Sequence, residues 1–105
     1  IGRTSQVINT GGEKVFAEEV EEALKRAPGV EDAIVIGVPD ARWGKAIVAL
    51  ARVGVDYDEE KTRRSMLAGL APYKLPKRIL VVDELPRHPS GKSDYRRALE
   101  IATGA

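Results

Sequence analysis

The sequence predicts a single α+β domain, with helices packed on a small, mainly antiparallel sheet. Three observations support this class. The chain has 105 residues, enough for one modest hydrophobic core but not for two. Its apolar, β-branched runs are too short for helices, and segments with helical spacing of apolar residues lie between them. The predicted order is ββαββαβα, with an N-terminal two-stranded hairpin, about three core strands and about three helices.

The first part of the chain predicts a hairpin followed by a helix. The runs QVIN and KVF flank Thr10-Gly11-Gly12-Glu13, a turn that contains two glycines. The segment AEEVEEALKRA then has acids in its first turn and bases in its last turn, which suits the helix dipole. Pro28-Gly29 is expected to end this helix.

The remaining elements follow from the same patterns. DAIVIGV and AIVALARV predict two buried strands separated by the loop PDARWGK, and RILVV predicts a third strand. DEEKTRRSMLAGL predicts a helix with Asp58 as its N-cap and with Met66, Leu67 and Leu70 on its buried side. The loop DELPRHPSGKS leads to a last helix, DYRRALEIA.

The composition argues against several classes of function. A formal net charge of +1 argues against a general nucleic-acid or membrane binder, because the electrostatic field of so small a charge attracts neither polyanion. No apolar run approaches the roughly 20 residues that span a bilayer, and no signal peptide is visible. The lack of cysteine rules out disulfides and thiolate metal sites, and it is compatible with a cytoplasmic protein. Because the chain starts at Ile1 and its only methionine is Met66, we expect it to be a piece of a longer protein.

The charged residues are unevenly distributed along the chain. Residues 13–32 hold seven acids against three bases, and residues 74–97 hold seven bases against three acids. Two solvated faces are the ordinary interpretation of such runs. The alternative is that the C-terminal basic segment contacts a small anion such as a phosphate.

The segment LPRHPSGKS ends in Gly91-Lys92-Ser93, as the phosphate-binding loop of many nucleotide hydrolases does. That loop needs a first glycine at position 86, but Pro86 stands there, and Pro89 also lacks an N–H group. A phosphate loop of the hydrolase kind is therefore rejected. Lys92 then follows Gly91 in a loop that Pro86 and Pro89 make stiff. It is either an ordinary surface lysine or a positive charge that the loop presents to a ligand.

Three stretches together resemble the C-terminal domain of the acyl-adenylate-forming enzymes: GRTSQVINTGGEKVFAEEVEEAL, GVPDARWGKAIVALA and YKLPKRILVVDELPRHPSGKSDYRRAL. INTGGEKVFAEEVEEAL is most similar to the bacterial fatty-acyl-CoA ligases, which are acyl-CoA synthetases. The resemblance implies that residues 1–105 form the C-terminal cap domain of a larger two-domain enzyme. The hinge would lie near residue 5, and the N-terminal AMP-binding domain would lie outside this sequence.

The family's chemistry implies an AMP-forming acid–thiol ligase. A carboxylate attacks the α-phosphate of Mg-ATP to give acyl-AMP and pyrophosphate, and the thiol of coenzyme A then attacks the acyl carbon to give the thioester and AMP. ATP or AMP, coenzyme A and Mg²⁺ would bind in the full-length enzyme, whereas this domain alone would bind none of them, hold no metal and be inactive. The implied partner is the enzyme's own N-terminal domain, with no nucleic acid. The implied location is the cytoplasm, or a membrane surface reached through the missing domain.

Three residues match family positions that serve the first step. Lys92 matches the adenylation lysine, whose charge would offset the repulsion between the carboxylate and the triphosphate. Arg3 matches the arginine that hydrogen-bonds the ribose hydroxyls of the adenylate. Ser5 falls at the hinge, where the family usually has Asp or Lys, so this chain departs from the family there.

For the second step the cap would rotate and present another face. Gly11 and Gly12 would line the channel for the pantetheine arm, although a simple hairpin turn also explains a glycine there. Trp43 matches an aromatic residue that faces the N-terminal domain in the thioester-forming orientation, the plainer alternative being a core tryptophan. Three lysines are candidates for the coenzyme A phosphates: Lys77, then Lys74 and Lys14. The family sometimes has arginine where this chain has Leu75.

Two alternatives stay open at this point. The chain could belong to an acyl-AMP ligase or to an adenylation domain that loads a carrier protein, because the distinguishing features lie outside it. It could also be a free-standing α+β module that binds a phosphorylated partner or RNA through residues 74–97.

Overall fold

The computed structural model of the chain describes residues 6–104. Within that range the elements follow the predicted order: β1 (Val7–Thr10), β2 (Glu13–Phe16), α1 (Ala17–Lys25), β3 (Val30–Asp40), β4 (Gly44–Val53), α2 (Glu59–Leu67), β5 (Arg78–Val81) and α3 (Tyr95–Thr103). A short 3-10 turn, Pro72–Lys74, precedes β5. The α+β class is confirmed. None of the helices in the described range has the length and apolar character needed to cross a bilayer.

Strands β1 and β2 form the predicted N-terminal hairpin. They pair antiparallel, with Thr10 opposite Glu13 at the turn. Gly11 and Gly12 occupy the two central positions with φ angles of 57° and 86°. Positive φ at both central positions matches the right-handed twist of a two-residue hairpin, and glycine adopts it without steric cost. Both glycines are therefore explained by the turn itself.

The three-stranded sheet has the order β3–β4–β5, with β3 antiparallel to β4 and β4 parallel to β5. The predicted loop PDARWGK is mostly strand, since β3 continues to Asp40 and β4 begins at Gly44. Asp40 explains the difference: its Oδ1 accepts the N–H groups of Arg42 and Trp43, at 2.8 and 2.9 Å. The polar residues that indicated a loop thus close a tight hairpin turn.

Both faces of this sheet are covered, because alternate residues of a strand point to opposite sides. Ala33 and Val35 of β3 belong to a buried cluster that also holds side chains of α1, α2 and the β1–β2 hairpin. Ile34 and Ile36 belong to a second cluster, which holds side chains of α3. Two-sided burial explains why the two long strands are continuous apolar runs rather than alternating ones.

Helix α2 corrects one detail of the predicted core. Asp58 is the N-cap as predicted, and its carboxylate accepts the N–H of Lys61 at 2.9 Å. The buried residues of the helix are Thr62 and Met66, which lie four apart on one face, while Leu67 is 47% exposed. Leu67 lies about 100° around the helix from Met66, so the prediction that it is buried is wrong.

Candidate functional site

Residues 86–94 form a short hairpin that we call the Lys92 turn. The N–H of His88 donates to the Lys92 carbonyl at 2.8 Å, and the N–H of Gly91 donates to the His88 carbonyl at 2.8 Å. Gly91 has a φ of 91°, a conformation that favours glycine. A three-residue loop whose last residue has positive φ is a common hairpin connection. Gly91 is therefore required by the backbone that presents Lys92.

The side chain of Lys92 is exposed, and it makes no hydrogen bond or ion pair with any residue in the range 6–104. The backbone beneath it is well fixed. Its carbonyl belongs to the hairpin, and two residues later Asp94 caps α3 by accepting the N–H of Arg97 at 3.0 Å. The turn thus holds out an ammonium group that a negatively charged ligand can pair with.

Arg87 connects the Lys92 turn to the start of β3. Its Nη1 donates to the Gly91 carbonyl at 3.2 Å and to Ser93 Oγ at 3.1 Å, while its Nη2 donates to Asp32 Oδ2 at 2.7 Å. Burial, the largest influence, would raise the pKa of Asp32, but the Arg87 hydrogen bond, the Ala33 N–H and the Arg87 charge together hold it below 3.8. Asp32 is therefore a carboxylate at neutral pH, paired with the guanidinium.

A buried carboxylate lies between α1, β3 and α3. Glu21 is 7% exposed, and its Oε2 accepts the N–H of Val35 at 2.9 Å and the hydroxyl of Tyr95 at 3.0 Å. Burial raises the pKa of Glu21 above 4.5, while its two hydrogen bonds oppose that rise. Burial and the nearby Glu21 raise the pKa of Tyr95 to about 12. Tyr95 is the first residue of α3, so this contact fixes the helix that follows the Lys92 turn.

Two ion pairs join the two charged runs of the sequence. Arg87 pairs with Asp32 at 2.7 Å, and Lys74 pairs with Glu19 at 2.9 Å. In both pairs the base comes from residues 74–97 and the acid from residues 13–32. Because part of the basic segment is already neutralised, it forms a weaker surface for a polyanion than its composition indicated.

A second group of predicted residues meets at the β3–β4 turn, and we call Gly11, Trp43 and Lys77 the Trp43 face. The N–H of Gly11 donates to the Trp43 carbonyl at 2.9 Å. The Nζ of Lys77 lies 5.0 Å from the centre of the indole ring, and the Cζ of Arg42 lies 5.1 Å from it. Trp43 is 38% exposed, so it is a surface residue of this chain rather than a core residue.

The two glycines of the β1–β2 turn have different surroundings. A Cβ atom added to Gly11 would lie 3.0 Å from Cε3 of Trp43, a distance that forces one of the two to move. A Cβ added to Gly12 would meet nothing within 4 Å among the described residues. Gly11 therefore permits close approach to Trp43, whereas the space beside Gly12 is open.

The other candidate lysines do not join the Trp43 face. Lys74 donates to both carboxylate oxygens of Glu19, at 2.9 and 3.0 Å, and this hydrogen bond raises its pKa above 10.5. Lys14 is exposed on β2, with no side-chain partner among residues 6–104. Arg3 and Ser5 lie outside the described residues.

Sequence reasoning did not single out Arg87, Asp32, Glu21 or Tyr95 for the site. One signal for Glu21 was present, because it follows Ala17 by four positions and precedes Leu24 by three, on the apolar side of α1. A carboxylate on a buried face needs partners, and that need could have been recognised. For Arg87 and Asp32 the sequence held only a coarser signal: they belong to the basic run 74–97 and the acidic run 13–32, whose opposite charges attract.

The Lys92 turn and the Trp43 face attach to opposite ends of β3. Asp32, near the start of the strand, holds Arg87 of the turn, and Asp40, at its end, holds the N–H of Trp43. Eight residue steps separate these two anchors (40 − 32). At about 3.3 Å per residue this is about 26 Å. The two groups therefore lie on separate parts of the surface.

A family model described as AMP-binding enzyme C-terminal domain matches residues 19–92. The 3-oxocholest-4-en-26-oate–CoA ligase of Rhodococcus rhodochrous is 54% identical over 104 residues, covering 93% of this chain and 18% of that protein. Among solved structures, Mycobacterium tuberculosis fatty acyl CoA synthetase has a TM-score of 0.88 and 32% identity, covering 93% of this chain and 20% of that one. The Bacillus subtilis o-succinylbenzoate CoA synthetase, in complex with the acyl-adenylate intermediate OSB-AMP, has a TM-score of 0.83 and 33% identity, covering 88% and 19%.

The match extends over nearly all of this chain, while the chain spans about a fifth of the length of these relatives. The family model covers well over half of the chain, and the fold and the order of the motifs agree with it. The resemblance seen in the sequence motifs is confirmed. This chain belongs to the AMP-binding enzyme C-terminal domain family.

Proposed function

We propose that this chain is the C-terminal domain of an ATP-dependent CoA ligase that acts on a fatty acid or a related carboxylic acid. The Lys92 turn would serve acyl-AMP formation, and the Trp43 face would serve thioester formation. The observation that carries this proposal is that the two groups attach to β3 at Asp32 and Asp40, anchors that lie about 26 Å apart along the strand. Two groups anchored this far apart would meet one catalytic centre in turn, which supports a rotation of the domain between the two steps.

The chemistry of the first step explains a lysine on a rigid turn. A carboxylate that attacks the α-phosphate of ATP brings two anions together. An ammonium group positioned near both lowers the repulsion and stabilises the charge that develops in the transition state. Lys92 is exposed and has no partner among residues 6–104, so its charge is available for this role.

The Trp43 face suits the phosphorylated thiol substrate of the second step. The indole ring of Trp43 offers an apolar surface, and Lys77 beside it offers a positive charge for a phosphate group. The open space beside Gly12 would let the narrow pantetheine arm pass the hairpin. Lys74 and Lys14 are weaker candidates for the phosphates, since Lys74 is already paired with a carboxylate.

The remaining roles lie with residues 1–5 and with the full-length enzyme. Arg3 would bind the ribose of the adenylate, and the hinge would lie near Ser5. ATP, the acid and coenzyme A would meet this domain only at its border with the N-terminal AMP-binding domain. The names of the relatives support an acid with a large hydrocarbon part, because they include a steroid acid and fatty acids.

The test is to measure the two half-reactions separately in the full-length enzyme. Lys92→Ala should lower the rate of acyl-AMP formation, measured as pyrophosphate release, by about 10²–10³-fold. Conversion of supplied acyl-AMP to the thioester should stay within about twofold of the parent enzyme. Lys61→Ala is the matched control, since Lys61 is an exposed lysine on α2 that belongs to neither group. An equal loss in both half-reactions would show that Lys92 does not have the proposed role.

A further inference from the structure

We propose that Arg87 and Asp32 are positioning residues for Lys92: the pair ties the Lys92 turn to the rigid start of β3, so that the ammonium group is held where acyl-AMP formation needs it. This inference rests on the proposed role of Lys92. Neither Arg87 nor Asp32 needs to contact a substrate for it to hold.

Arg87 reaches three acceptors at once. Its Nη1 donates to Gly91 and Ser93 on the returning arm of the turn, and its Nη2 donates to Asp32 on β3. The first two contacts close the turn across its own width. The third contact joins the closed turn to the sheet, and at 2.7 Å it is a short, charge-assisted hydrogen bond.

Asp32 is itself held in place. Its Oδ1 accepts the N–H of Ala33 at 2.9 Å, so the other oxygen is directed at Arg87. The β3–β4 register shifts between Val30 and Asp32, as happens at a β-bulge or a similar irregularity. Bulges commonly re-aim a side chain next to a functional site. The side chain of Asp32 is 22% exposed, so solvent screens the pair less than it would a fully exposed one.

The other contacts of the Lys92 turn show why the Arg87–Asp32 pair is needed to hold its position. The backbone hydrogen bonds between His88, Gly91 and Lys92 preserve the shape of the turn but do not attach it to the sheet. Without the Arg87–Asp32 contact, the turn would be free to tilt about its two arms. Small displacements of a charged group are costly in catalysis, and a shift of about 1 Å can cost about 10²-fold in rate.

The experiment compares Asp32→Asn with a matched control in the full-length enzyme. Asparagine keeps the shape and the acceptor for the Ala33 N–H but removes the negative charge. The control is Glu31→Gln, at the neighbouring position, which breaks the exposed pair with Arg52 at 3.2 Å and does not touch the turn. Asp32→Asn should lower kcat for acyl-AMP formation by about 10- to 100-fold. Glu31→Gln should change it by less than about twofold, since exposed pairs contribute little.

Three further readouts separate positioning from a general structural role. Conversion of supplied acyl-AMP to the thioester should be unchanged in Asp32→Asn. Hydrogen exchange of the His88 and Gly91 amides should stay unchanged in both variants, since their hydrogen bonds lie within the turn; faster exchange in Asp32→Asn would show that Asp32 maintains the fold of the turn rather than its position, and would overturn the inference. Arg87→Lys should behave like Asp32→Asn, because one ammonium group cannot span the three acceptors of a planar guanidinium.

A double variant makes the dependence on Lys92 explicit. If Asp32 acts only through Lys92, then Asp32→Asn should cause no further loss in a Lys92→Ala background. The inference is overturned if Asp32→Asn matches Glu31→Gln in acyl-AMP formation, or if it lowers both half-reactions equally. Parent-level acyl-AMP formation in Arg87→Lys would also overturn the inference, since a positive charge at position 87 would then be enough without the three guanidinium contacts. If instead Lys92→Ala leaves acyl-AMP formation unchanged, the proposed function itself fails, whatever Asp32→Asn does.

Discussion

Adding one methyl group at Gly11 would press it against the ring of Trp43, and the structure gives the size of the effect. A Cβ at Gly11 would lie 3.0 Å from Cε3 and 3.3 Å from Cζ3 of the indole. Overpacking costs about 1–3 kcal/mol in a tight core, and a ring that is 38% exposed can shift, so the lower end of about 1 kcal/mol applies here. The φ of 57° adds about 1–2 kcal/mol for a residue with a side chain. Gly11→Ala should therefore lower the free energy of unfolding by about 2–3 kcal/mol.

Gly12→Ala is the matched control for this prediction. Its φ of 86° is also positive, but an added Cβ would meet nothing within 4 Å among the described residues. Gly12→Ala should therefore cost about 1–2 kcal/mol, from the backbone conformation alone. Urea-induced unfolding of this chain measures both variants. Equal losses for the two would refute the close contact between Gly11 and the indole.

The same substitution tests whether the contact matters for function. A ring displaced by the added methyl group would change its distance from Lys77, whose Nζ lies 5.0 Å from its centre. In the full-length enzyme, Gly11→Ala should then slow thioester formation from supplied acyl-AMP more than Gly12→Ala does. In a Trp43→Ala background the difference in stability between the two glycine variants should disappear, because the ring is gone.

Three other predictions concern stability and the choice of lysine. Tyr95→Phe removes a donor to the buried Glu21 carboxylate, so urea unfolding at pH 7 should show a loss of about 1.5–3 kcal/mol. The Tyr95 hydroxyl donates to the ionised carboxylate and lowers the pKa of Glu21 against the larger effect of burial. The loss should therefore be full where Glu21 is ionised and shrink as the pH falls through its raised folded pKa, which lies above 4.5; a loss independent of pH would contradict the contact. Asp58→Ala should cost about 1 kcal/mol through loss of the α2 cap, and no change in the unfolding midpoint would contradict that role. In thioester formation, Lys77→Ala should raise the KM for coenzyme A more than Lys74→Ala does; the reverse order would show that Lys74 is the phosphate ligand.

Local patterns were sufficient to predict most of the fold. The paired glycines at 11 and 12 predicted the hairpin because few other residues adopt positive φ, and Asp58 predicted the start of α2 because its side chain can accept a helix N–H. The extent of β3 was harder to predict. Pro39 and Asp40 have low strand propensity, yet they pair with Lys45 and Gly44, because the hairpin turn that Asp40 closes overrides local preference.

The candidate site was predictable where a motif carries it and unpredictable where it depends on long-range contacts. Lys92 and Trp43 became candidates because the motifs that contain them resemble those of the family. The contact of Arg87 with Asp32 joins residues 55 positions apart, and it exists only because the Lys92 turn folds back over the start of β3. No local pattern encodes that approach. Opposite charges in the two runs indicated that they could attract, but not which residues would pair.

In the proposed function, Lys92 and Trp43 serve different half-reactions of one enzyme. The ratio of two rates in the full-length enzyme tests this: acyl-AMP formation, and thioester formation from supplied acyl-AMP. We expect Lys92→Ala to lower this ratio by about 10²-fold or more, and Trp43→Ala to raise it. If both variants left the ratio unchanged while lowering the overall rate, the two groups would act in the same step, which would contradict the proposed division of roles.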